Sequence, residues 1–273
     1  MKKVMKMMAV LPVMTLGLLT AQNLDAQHLK CKTQVVAHRC FHENGAKDTQ
    51  YPENSLAAFK RAQQLGIWGA EIDVWITPDD VVLVNHNSTV PTDKEQRKLE
   101  FTATEGLQDV RLANGEPIPT LESLLKAMKE STSDMKLVIE IKTHKKASNN
   151  VRVVDKSIEL VRQYGLLDQV VWIAFSWDNC LRIAQTLPDA MVMYLNGDKT
   201  PKVCMKNGVR GIDYSKELTF KKYVRDAHRL GMAVNVWTVN SEADMEKFLD
   251  RKCDFITTNN PDVLKEMIAE RNR

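Results

Sequence analysis

No Gly-x-Gly-x-x-Gly turn occurs anywhere in the 273 residues. That removes the commonest support for a doubly wound dinucleotide-binding sheet. No two cysteines stand at zinc-finger spacing: Cys31, Cys40, Cys180, Cys204 and Cys253 are scattered and odd in number. The spacing names no disulfide pair, and free or buried thiols are the simpler reading. The most apolar run, residues 7–19, is too short for a comfortable membrane span. Lys and Arg number 38 against 35 Asp and Glu, with no basic stripe, which argues against a nucleic-acid groove or a membrane-surface helix. Internal repeats and low-complexity linkers are missing as well.

What is present begins with a leader. Lys2, Lys3 and Lys6 precede the apolar run, and small or polar residues follow through Gln27. This is the pattern of a secretory signal peptide, cut after Ala21 or Ala26, with Ala26 preferred. An uncleaved N-terminal anchor is the alternative. A lipoprotein is disfavoured because Lys30 precedes the first cysteine, Cys31. The expectation is a signal peptide over 1–26, a mature chain of 27–273 and a secreted, periplasmic location.

From Cys31 onward, apolar β-branched runs alternate with stretches of helical period. The runs fall at 34–38, 69–75, 136–142, 170–175, 191–195, 211–214, 233–239 and 254–257. Helical spacing marks 53–65, 151–164, 177–186, 218–230, 241–249 and 261–273, with Gly66, Gly165 and Gly231 where helices should stop. Strand–helix alternation over such a length predicts a (β/α)8 barrel, with a doubly wound open sheet as the alternative. One stretch breaks the rhythm. An extra short strand at 81–85 and a polar, charged segment at about 86–119 read as an insertion after the second barrel strand.

On a strand, residues i and i+2 share a face. Glu71 therefore shares a face with Asp73, and Glu140 with Lys142. Both pairs lie toward C-terminal strand ends, where a barrel places its active site. His38 and Arg39 close the first run, and His86 follows the extra strand. Three carboxylates suit a hard cation such as Ca²⁺ or Mg²⁺ rather than zinc. Arg39 and Lys142 add the positive charge that grips a phosphate, and two histidines suit a general acid and a general base. Each residue alone has a blander reading: a core histidine, a local ion pair, a hydrated strand end, or, for Glu53, a first-turn helix acid. Their convergence at strand ends outweighs these.

The order His-Arg, Pro-Glu-Asn, Glu-x-Asp-Val, His, Glu-x-Lys resembles the glycerophosphodiester phosphodiesterase family. The likeness runs through "AHR", "PENSLAAFKRA", "GAEIDVWITPDDVVLVNH", "IPTLESLL", "LVIEIK", "VNVWTVN" and "ITTNNPDVL", essentially the whole mature chain. It implies metal-dependent hydrolysis of small-molecule glycerophosphodiesters to glycerol 3-phosphate and an alcohol. His38 and His86 would be the acid and base, in an order left open. Glu71, Asp73 and Glu140 would hold one divalent cation, Ca²⁺ or Mg²⁺. Arg39 and Lys142 would contact the phosphate, Trp237 would lie near the glycerol, and Glu53 would support the site. Two alternatives stand beside this: a related phospholipase-type enzyme acting on another headgroup diester, and a non-catalytic binding protein. The chain departs from the family pattern at Cys40, where Gly is usual, at Asn87, where Asp is usual, and in a longer segment from Cys40 to Tyr51.

Overall fold

The computed structural model describes residues 30–42, 50–92 and 95–273. The leader read over 1–26 lies outside them, as does much of the polar loop after Cys40.

In chain order the elements are β1 (Gln34–Ala37), α1 (Leu56–Leu65), β2 (Gly69–Ile76), β3 (Val82–Val84), β4 (Thr89–Pro91), β5 (Gln96–Lys98), α2 (Leu121–Glu130), β6 (Lys136–Ile141), α3 (Ala147–Gln163) and β7 (Val170–Ala174). They continue as α4 (Trp177–Thr186), β8 (Met191–Tyr194), α5 (Pro201–Lys206), β9 (Gly211–Ser215), α6 (Lys221–Arg229), β10 (Ala233–Trp237), α7 (Glu242–Asp250), β11 (Phe255–Thr258) and α8 (Pro261–Arg271). The strands run β1-β11-β10-β9-β8-β7-β6-β2, all in parallel, and β1 pairs with β2 to close the barrel. The expected (β/α)8 barrel is therefore the observed fold.

Strand alternation builds its two apolar layers. Ile72, Val74, Ile139, Ile141, Ile212 and Tyr214 face outward and pack under the helices. Val36, Val138, Val171, Ile173, Met193 and Leu195 face inward and fill the barrel. Helix starts are fixed locally. The side chains of Ser55, Thr120, Ser176, Thr200 and Ser241 each accept a hydrogen bond from a first-turn backbone N–H. Such caps contribute about 1 kcal/mol apiece. Gly66 ends α1 at φ 67°, a left-handed conformation that favours glycine.

Two helices were not among the expected segments. α2 carries Leu121, Leu124, Leu125 and Met128 on one buried stripe, a periodic signal adjoining the insertion. α5 spans 6 residues, too short to establish a period. The insertion has its own small core of Trp75, Leu83, Val90, Leu99, Leu107, Val110 and Ile118. β3 adds to β2 in antiparallel register. Buried Glu100 ties this segment to the start of α3, accepting from the backbone N–H groups of Lys145 (3.0 Å) and Lys146 (2.8 Å) and from Asn149 Nδ2 (3.0 Å). The five cysteines are free thiols, and all but Cys31 are buried.

Candidate active site

The parallel register of β2 and β6 sets Asp73 directly beside Glu140, and Glu71 beside Val138. Lys142 follows the end of β6, and its backbone N–H still donates to Val74 at 3.2 Å. The result is a cluster in which one oxygen from each of Glu71, Asp73 and Glu140 lies within 4.8 Å of the others. Lys142 Nζ sits against two of them, 2.6 Å from Asp73 Oδ1 and 2.7 Å from Glu140 Oε1.

His38 and Arg39 lie just beyond β1, which stops at Ala37, one residue short of the expected run. Arg39 and Cys40 both take left-handed backbone angles, φ 48° and 67°. The chain there folds back onto β2. Arg39 N–H donates to Glu71 Oε2 at 2.6 Å, and Cys40 N–H donates to the Glu71 carbonyl at 2.9 Å. Cys40 thus adopts the backbone that glycine would take with less strain, at a cost on the order of 1 kcal/mol. The Pro-Glu-Asn turn is tied to the same corner. Asn54 N–H donates to the Arg39 carbonyl at 2.9 Å, and Asn54 Nδ2 donates to Asp73 Oδ2 at 2.8 Å. Glu53 precedes α1 rather than lying in its first turn, and its Oε2 pairs with Arg39 Nη1 at 2.8 Å.

Two asparagines flank the histidines. Asn259, just past β11, meets His38 Nδ1 through Oδ1 at 2.7 Å. Asn87 Oδ1 lies 3.1 Å from His86 Nδ1. Burial, then the Arg39 guanidinium, pushes His38 down to about 4. Burial and then Lys142 also lower His86. Both shifts favour the neutral imidazole, with Nδ1 engaged by an amide oxygen and Nε2 left to exchange a proton.

The carboxylates divide. Burial, then the charges of Asp73 and Glu140, raises Glu71. Burial and Asp73 push Glu140 up to about 7. Asp73 is lowered even though burial, the largest influence on it, opposes this; Lys142 and the Asn54 amide prevail. Glu71 Oε1 and Arg39 Nε are buried without a hydrogen-bond partner, Nε lying 3.9 Å from Asp73 Oδ2, too far for a hydrogen bond. Buried groups of this kind are rare in native proteins and call for a partner. A cation among the acids would satisfy the first, and a phosphate oxygen would satisfy the second. The donor set, three carboxylates and no thiol or imidazole, fits a divalent cation of the Ca²⁺ or Mg²⁺ type.

A single pocket collects His38, Arg39, Glu71, His86, Glu140 and Lys142 on one side. Asp73 lies behind it. The rest of its lining includes Ile173, beside Glu140 in the β6–β7 register, together with Phe175, Leu195, Trp237 and the buried Asp213. The Trp237 indole N–H donates to the Asp213 carbonyl at 2.9 Å, and the ring meets Phe175 edge to face at 5.6 Å. Every residue singled out from the sequence thus lies in this mouth or against it. Asn54, Asn259, Phe175 and Asp213 join them without having been assigned a role. Asn54 and Asn259 stood inside the family-like motifs; Phe175 and Asp213 carry no local signal.

The Asn87 contact makes a test of its own. Asn87→Asp places a carboxylate against His86 and favours the imidazolium, so the His86 pKa rises. If His86 gives a proton, the alkaline limb of kcat/KM moves to higher pH. If it takes one, the acid limb moves the same way. A pH profile identical to that of the unmodified chain would contradict the contact.

A carboxylate-lined mouth bearing arginine, lysine and two histidines on a (β/α)8 barrel defines a barrel hydrolase of phosphate esters. The sequence profile of the Glycerophosphoryl diester phosphodiesterase family matches residues 44–263, and the chain belongs to that family. A glycerophosphodiester phosphodiesterase of Caldanaerobacter subterraneus subsp. tengcongensis is 27% identical over 250 residues, covering 88% of this chain and 99% of that protein. The crystal structure of a glycerophosphodiester phosphodiesterase from Parabacteroides distasonis superposes with a TM-score of 0.83 at 31% identity, covering 89% of this chain and all of that one. An Oleispira antarctica phosphodiesterase, solved with the product sn-glycerol-3-phosphate, shares the fold at a TM-score of 0.74 and 22% identity, over 86% of this chain and 96% of that one.

Proposed function

We propose that the chain hydrolyses glycerophosphodiesters to glycerol 3-phosphate and an alcohol, with Glu71, Asp73 and Glu140 holding one divalent cation, Ca²⁺ or Mg²⁺. The observation that carries this reading is a three-carboxylate cluster with an unpaired Glu71 oxygen, set beside the Arg39 and Lys142 cations in one buried mouth. One calls for a cation and the other for an anion. Product binding by the Oleispira antarctica relative agrees with it.

The residues divide the work. Arg39, held by Glu53, and Lys142 bind the phosphoryl oxygens and face the negative charge that grows on them in the transition state. A cation held by Glu71, Asp73 and Glu140 would supply further positive charge to the mouth. One histidine takes the proton of the neighbouring glycerol hydroxyl through Nε2. That oxygen attacks phosphorus and the bond to the alcohol breaks. The other histidine, entering as the imidazolium, gives up its Nε2 proton to the departing alcohol. Water then opens the cyclic phosphate by the reverse assignment of the two histidines. Asn259 and Asn87 hold the rings through Nδ1. The pocket rim, where Phe175 is 38% exposed, receives the alcohol.

The basic start and apolar run of residues 1–26 support export of the mature chain to the periplasm. Among the described residues no helix is long and apolar enough to cross a membrane.

A panel of diesters tests the substrate class. The purified chain is expected to release glycerol 3-phosphate from glycerophosphocholine and glycerophosphoethanolamine, and far less product from intact phospholipid or sphingomyelin. Preferential cleavage of the intact lipids would place the chain with the phospholipase-type enzymes. Saturable binding of the diesters without turnover at any cation concentration would make it a binding protein.

A further inference from the structure

The inner wall of the barrel is divided. β1, β2 and β6 carry the charged cluster, while β7 and β8 present Ile173, Met193 and Leu195. Between them β9, β10 and β11 contribute three polar side chains: Asp213, Asn235 directly beside it in the β9–β10 register, and Thr257, two residues beyond the β11 partner of Asn235, Phe255. Asn235 Nδ2 donates to Thr257 Oγ1 at 2.7 Å, which closes that end of the group. At the other end Asn235 also meets the Asp213 carboxyl, and one oxygen is left over. Asp213 is 1% exposed, lines the pocket, and its Oδ1 has no hydrogen-bond partner. Leaving such an atom unpaired costs about 1–3 kcal/mol, which an apolar side chain of similar shape would avoid. Folding gives no reason for an acid here; a ligand does.

The position says which part of the ligand. A phosphate gripped by Arg39 and Lys142 fixes one end of the glycerol moiety at the charged wall. Asp213 lies across the pocket, beneath Trp237, whose indole N–H is bound to the Asp213 carbonyl. That floor is enclosed and suits a small, invariant group. The variable alcohol belongs at the exposed rim. We propose that Asp213 is a specificity-determining residue that hydrogen-bonds the terminal hydroxyl of the glycerol moiety and rejects ligands that lack it. This rests on the glycerophosphodiester reading of the site.

The test uses a ligand pair read by calorimetry, independently of turnover: sn-glycerol 3-phosphate and propane-1,2-diol 1-phosphate. The second keeps the phosphate and the inner hydroxyl and lacks only the terminal one. The unmodified chain is expected to prefer the first by about 10- to 100-fold, as for one hydrogen bond to a buried acid. Asp213→Val should bind the deoxy ligand as the unmodified chain does. Its preference should fall below about threefold. Asp213→Asn, which keeps a polar partner, should retain most of it. Because Asp213→Val removes a buried acid with an unsatisfied oxygen, its melting temperature should not fall. An equal loss of affinity for both ligands, or a variant that fails to fold, would make Asp213 a structural residue and overturn the proposal. So would an unmodified chain that does not distinguish the ligands. An unmodified chain that binds neither phosphate would overturn the reading of the whole site instead.

Discussion

Glu71→Gln is expected to weaken divalent-cation binding by about a hundredfold or more, since changes one shell further out already cost 10- to 100-fold. The substitution keeps the shape of the side chain and removes one charge from a site built of three. Its effect on folding should run the other way. Burial and the neighbouring acids raise the Glu71 pKa in the folded chain. A carboxyl whose folded pKa is raised destabilises the fold once pH exceeds its unfolded value, because the ionised form is the disfavoured one. Removing that charge relieves repulsion from Asp73 and Glu140. Without cation, the variant should therefore melt no lower than the unmodified chain at neutral pH. With Ca²⁺ or Mg²⁺ present, the unmodified chain should gain stability by mass action, and the variant should gain little. Calorimetric titration with each ion and melting curves with and without it check both halves. Unchanged cation affinity in Glu71→Gln would remove Glu71 from the ligand set.

His38→Ala and His86→Ala are each expected to lower kcat/KM on glycerophosphocholine by about a hundredfold or more, the usual range for acid–base groups. The two should part company when the leaving group changes. A general acid matters most when the departing alkoxide is unstable, as choline alkoxide is. It matters little for p-nitrophenolate, which leaves without a proton. A general base is needed for both. On a glycerol p-nitrophenyl phosphodiester, one variant should recover most of its loss, and that variant lacks the acid. Equal losses on both substrates in both variants would mean that the histidines bind phosphate or order the site instead. The geometry is even-handed, since each ring is held at Nδ1 by an amide oxygen.

The charged half of the site was legible in the sequence because its logic is local. Glu71 and Asp73 share a strand face by period, as do Glu140 and Lys142, and strand ends meet at one mouth once the barrel closes. What sequence could not supply was pairing between distant segments. His38 and Asn259 are 221 residues apart and meet only because β1 pairs with β11. Asp213 sits in a short apolar run where a lone acid reads as a strand edge. Its burial follows from the closure of β9 between β8 and β10. Phe175 is an aromatic at the end of an apolar run, indistinguishable by type from a core residue until the barrel sets it on the rim. Glu100 shows the reverse risk: it is a buried acid in a polar stretch, yet its oxygens are taken by the start of α3. The fold was legible for a related reason, since strand–helix alternation persists along the chain. The missed helices were a short one and one adjoining the insertion, where that rhythm is broken.

The most direct measurement follows glycerophosphocholine by ³¹P NMR during incubation with the purified chain, first with Ca²⁺ or Mg²⁺ and then in excess chelator. Disappearance of the diester signal with stoichiometric appearance of glycerol 3-phosphate, abolished by chelation and restored by adding the ion back, is the expected result. Undiminished turnover in chelator with no metal found by elemental analysis, or an unchanged diester signal at every ion concentration, would contradict the account.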